Sequence, residues 1–81
     1  MNTGTLPSAK DDDGDDVRWA LETANAVWAQ GDKRAALSWV RRAAEAAAEV
    51  GSDQRAVELA KAAAELRAVL ERSITVKEAP A

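Results

Sequence analysis

Two short punctuation marks, Gly31-Asp32 and Gly51-Ser52-Asp53, constrain this chain more than any other feature. Each couples a residue that enters the left-handed backbone region freely to a side chain suited to capping a helix N-terminus. A stop followed at once by a start leaves a turn of only a few residues, so the flanking helices must run antiparallel. Before the first mark, Val17, Ala20, Leu21, Ala24, Val27 and Trp28 recur at the i, i+3, i+4, i+7 spacing of one helical stripe. The pattern predicts a helix over about 16–30 with Asp15 or Asp16 as cap, and a second from Asp32 to about 49. A third, capped by Ser52 or Asp53, extends to about Arg72.

The apolar arcs order these helices. In the second, Ala35, Trp39, Val50, Ala43, Ala36, Ala47, Val40, Ala44, Leu37 and Ala48 cover roughly 220° of the wheel, enough to face two neighbours. It therefore belongs between the other two. The third carries a narrower stripe of Ala56, Leu59, Ala63, Leu66 and Leu70 and serves as a closing helix. The expected fold is all-α: three antiparallel helices over residues 15–72.

The ends read differently. Residues 1–16 hold five aspartates and Lys10, a balance of −4, whereas 17–81 hold ten basic and nine acidic residues, a balance of +1, which together make the net −3. With Gly4, Pro7, Ser8 and Gly14 and no apolar period, residues 1–14 are expected to be a disordered acidic tail. Its charge favours the N-terminus of the first helix, keeps the domain soluble, or shields the arginine face of the second in cis. Residues 73–81, with β-branched Ile74, Thr75 and Val76 before Pro80, are expected to be a flexible C-terminal tail.

Composition limits the chemistry. The chain lacks His and Cys, so thiol and imidazole nucleophiles, zinc-finger ligand sets and disulfides are all excluded. Its glycines are isolated, which leaves no phosphate-cradling loop. The Asp11–Asp16 run lacks the alternation of a calcium loop. No catalytic, metal or cofactor residue is expected, and the chain reads as a non-enzyme. Lys33, Arg34, Arg41 and Arg42 are followed by Glu45 and Glu49, a solvated face rather than a nucleic-acid footprint. No long apolar run and no secretory leader are visible, so no membrane partner is expected, and the missing cysteine suits a cytoplasmic location. Frequent Ala, Arg, Asp and Val beside four Lys suit a GC-rich bacterial source.

Alanine supplies 20 of the 81 residues, so close helix approach must replace side-chain bulk in a thin core. Ala24 and Val27, the Gly31-Asp32 turn, and Ala36, Val40 and Ala43 occur in the order and spacing of a tetratricopeptide repeat. The stretch from Ala20 to Ala43 resembles one unit of that family, and Ala56, Leu59, Ala60 and Ala63 begin a second, 36 residues on, against a usual period of about 34. A plain alanine-rich three-helix bundle explains the same small residues.

The resemblance implies a concave groove lined by the first helices, exposing Arg18, Leu21, Asn25 and Trp28 with Gln54, Val57 and Lys61. There Asn25 and Lys61 could hold a carboxylate. It also implies that so short an array completes itself by association. Among the tryptophans, Trp39 belongs to the core, Trp28 sits between core and groove, and Trp19, opposite Trp28 on the wheel, faces outward. The functional expectation is an adaptor or scaffold that binds a partner protein segment through Trp19, Trp28, Arg18, Leu21, Asn25 and Lys61. The alternative is a self-assembling structural homo-oligomer such as a homodimer, with no separate ligand.

Overall fold

The structure is a computed structural model that describes residues 6–78, with side chains over residues 6–72. Three helices follow one another: α1 (Asp15–Ala29), α2 (Lys33–Glu49) and α3 (Asp53–Glu78). Both turns form as their residues dictate. Gly31 and Gly51 adopt φ of +92° and +82°. Beyond them the N–H groups of Asp32 and Ser52 reach back to the Val27 and Ala47 carbonyls, each at 2.9 Å. These bonds satisfy carbonyls that the helix ends leave open. The Asp32 carboxylate accepts from the Ala35 N–H at 3.1 Å and caps α2.

α1 starts differently from expectation. Its N-cap is Gly14 with no side-chain cap, and Asp15 and Asp16 lie inside the first turn. There they act on the helix dipole instead of on individual N–H groups.

The helices run antiparallel in an up-down-up row. Asp16 at the start of α1 and Glu49 at the end of α2 line one pocket, and Trp19 meets Trp39 a little before the middle of α2. α2 packs on both α1 and α3, as its wide apolar arc requires, whereas the backbones of α1 and α3 do not approach each other. Val50, counted in that arc, is instead the exposed C-cap of α2. Two core clusters, each drawing on all three helices, are stacked along the helix axes. One joins Ala24, Ala36, Val40, Ala63 and Leu66 with Leu6; the other joins Val17, Ala20, Leu21, Ala43, Ala47 and Leu59. Trp39 packs against both.

Both ends depart from expectation. Residues 6–14, read from sequence as part of a disordered tail, lie on the helices, with Leu6 only 5% exposed and Ala9 against the second cluster. An apolar anchor and a buried ion pair, Asp13 with Arg55, offset the ordering cost. Residues 1–5 lie outside the described residues. At the other end the backbone of α3 continues through Glu78 instead of stopping near Arg72. Adding a residue to an existing helix is inexpensive, and Ile, Thr and Val each lower helix propensity by only a few tenths of a kcal/mol. The remainder of the expected C-terminal tail, residues 79–81, lies outside the described residues.

Candidate functional site

α1 presents two flanks of different character. On one, Trp19 projects from the first half of the helix and is 57% exposed. Its ring meets Trp39 edge to face, with centroids 4.9 Å apart and planes at 89°. The Arg42 guanidinium lies 5.1 Å from the Trp39 centroid, within cation–π range. Trp19, Arg42 and Ala46 line a shallow pocket of about 250 Å³ whose rim carries Asp16, Glu45 and Glu49. Thr23 donates its hydroxyl to the Trp19 carbonyl at 2.8 Å. An aromatic centre held by a second aromatic and ringed by both signs of charge has the composition of a protein contact surface.

On the other flank the chain covers itself. Asn25 donates from Nδ2 to the Pro7 carbonyl at 3.2 Å and to the Leu21 carbonyl at 2.8 Å. Across the channel, Arg55 of α3 holds the same segment. Its Nε and Nη2 each lie 3.0 Å from an Asp13 carboxylate oxygen, and Nη2 also donates to the Ser8 carbonyl at 2.8 Å. The Asp13 and Arg55 side chains are 4% and 13% exposed. Burial alone would raise the Asp13 pKa. The Arg55 hydrogen bonds, the Lys10 backbone N–H and both positive charges outweigh burial and hold it below the ordinary carboxylate value. Burial likewise works against the charged Arg55, and its bonds to Asp13 and Glu58 more than compensate, so its pKa is raised.

The residues expected to form one groove are dispersed by this arrangement. Leu21 is fully buried in the core and presents nothing to a ligand, because it shares the apolar stripe of Val17 and Ala24. Asn25 lies beside the channel as expected, but both amide hydrogens are engaged, which leaves none for an incoming carboxylate. Lys61 and Arg18 are exposed on α3 and α1. Trp28 is half-buried against the first cluster with Lys33 Nζ 5.4 Å from its ring centroid. Trp19 stands on the opposite flank of α1 from Asn25.

Sequence reasoning passed over Asp13 and Arg55, the pair that fastens the N-terminal segment. The acidic run is expected to shield arginines in cis on α2, whereas Asp13 pairs with Arg55 on α3. Leu6 was the available signal, the one large aliphatic residue in an otherwise small and polar stretch after Met1.

Among the described residues there is no group of three or more His, Cys, Asp or Glu side chains that could hold a metal ion, and no helix is long and apolar enough to cross a membrane. Comparison with protein-family models, with curated proteins and with solved structures finds no match.

Proposed function

We propose that the protein is a non-enzymatic interaction module, an adaptor or scaffold, that binds a segment of a partner protein through the helical face centred on Trp19. The observation that carries this reading is the exposed Trp19 ring braced by Trp39. An indole fixed before binding loses little rotamer freedom on contact, so the apolar area it buries turns efficiently into affinity. The Arg42, Glu45, Glu49 and Asp16 rim supplies charged groups of both signs that orient a partner. The ordered turns and small-residue helix pair also suit the tetratricopeptide-like geometry. The cysteine-free composition suits action in the cytoplasm.

The test compares wild type with Trp19→Ala in quantitative capture of cellular partners, alongside light-scattering mass across a concentration series. A partner retained by wild type and lost by the variant supports the reading. Equal retention removes Trp19 from the interface. A wild-type dimer that Trp19→Ala converts to monomer moves the function to self-assembly.

A further inference from the structure

The flank of α1 opposite Trp19 borders a channel that the chain's own N-terminal segment fills. Residues 6–13 lie in the channel between α1 and α3, and their contacts show what the channel recognises. Two of them are indifferent to side-chain identity, because Asn25 and Arg55 donate to the main-chain carbonyls of Pro7 and Ser8. Sequence is read at two points. An apolar recess between Ala24, Ala63 and Leu66 takes the Leu6 side chain, and the Arg55 guanidinium takes the Asp13 carboxylate through two parallel bonds. Between these points a turn closes on itself, with the Lys10 N–H donating to the Asp13 carboxylate and the Asp13 N–H to the Lys10 carbonyl.

The segment can leave without dismantling the helices. It joins α1 through Gly14, and no side chain of the segment caps that helix. Residues 6–10 belong to no helix or strand. The walls of the channel are set by the packing of the α1 and α3 backbones on α2.

We infer that this channel is a binding site for a partner segment that carries a large apolar residue and, seven positions later and beyond a tight turn, a carboxylate, and that residues 6–13 are its occupant in cis. The partner segment displaces them, taking the Leu6 recess and the Arg55 fork. A tethered occupant competes at an effective concentration on the order of millimolar, so binding in trans is weak until the tether is loosened.

The probe is a fluorescent peptide with the sequence of residues Asn2–Asp16, titrated into the full chain and followed by anisotropy. The Leu6→Ser/Asp13→Asn double variant, with its own segment loosened, is expected to bind about tenfold more tightly than wild type. Asp13→Asn alone keeps the Leu6 anchor and is expected to gain about threefold. Adding Arg55→Gln to the double variant, or replacing the leucine and the equivalent aspartate in the peptide, should remove the gain. Adding Trp19→Ala should leave it, which separates this site from the Trp19 face. Four outcomes overturn the inference: no gain in a double variant that keeps its helical circular dichroism, no gain in Asp13→Asn, loss of helix in the double variant, which would make the segment part of the core, or a wild-type dimer abolished by Leu6→Ser, which would make a second copy the occupant.

Discussion

The two flanks of α1 are built from the same short helix and end in opposite states. On one, Asn25 meets the chain's own Pro7, and Leu6 and Asp13 are fastened across the channel to α3. On the other, Trp19 rests edge-on against Trp39 with more than half of its surface open. The difference follows from reach. The N-terminal segment leaves Gly14 on the channel side and covers what lies there, whereas nothing among the described residues reaches past Trp19.

The sharpest way to separate the helical core from the covering segment is to shorten a leucine in each. Leu21→Ala removes a fully buried side chain from a helix that cannot detach, and should cost about 3–5 kcal/mol in chemical denaturation. Leu6→Ala deletes the same group from a segment that can lift off. Its cost is capped by the docking energy of that segment and should fall to about 1–2 kcal/mol. Equal losses at the two positions would erase the distinction between core and cover.

Arg55→Ala should cost about 1–2 kcal/mol, because the Asp13 carboxylate regains water once the segment lifts. Combined with Leu6→Ala it should cost less than the two single losses added together, since both release the same element. Full additivity in that double-mutant cycle would mean that the two anchors hold separately.

Acid gives a reversible version of the same experiment. The native Asp13 pKa lies below the ordinary carboxylate value, so the ionised carboxylate contributes stability that is fully present above that ordinary value and fades as the pH falls towards the lowered native one. Protection of the residue 6–13 amides, measured relative to their intrinsic exchange rates, should fall over that window in wild type, and Asp13→Asn should abolish that fall.

The smallest effect belongs to the open flank. Trp19→Ala removes an edge-to-face pair and some covered area at Trp39, worth about 0.5–1 kcal/mol in thermal melts, while association should fall about tenfold or more. A loss of stability comparable to that of Leu21→Ala would place Trp19 in the core.

The parts of this fold that sequence made legible are those fixed within a few residues. Gly31 and Gly51 ended their helices, Asp32 capped α2, and the wide arc around Val40 and Ala43 placed α2 in the middle. What escaped depends on pairs distant along the chain. Asp13 and Arg55 are 42 positions apart, and no local rule links one aspartate of an acidic run to one arginine among seven. Leu6 sits alone among polar and small residues, so periodicity is blind to it. The family resemblance places Leu21 in a groove, whereas its own helical stripe puts it in the core, where it is fully buried. The β-branched run after Ser73 weighed too heavily, since local propensity is weaker than the momentum of a helix already formed.

The row-like packing has a consequence for how the chain opens. The backbones of α1 and α3 each pack on α2 and not on each other, although all three helices share the two core clusters, so an outer helix has one backbone neighbour to leave where α2 has two. α2 cannot leave without both partners failing, and its amides should be the last to exchange. The segment over residues 6–13 closes this row into a ring, because it ties α1 to α3 through Asn25 and Arg55. Releasing it changes the order of unfolding as well as its free energy: a chain that comes apart as one piece becomes one that frays from both sides.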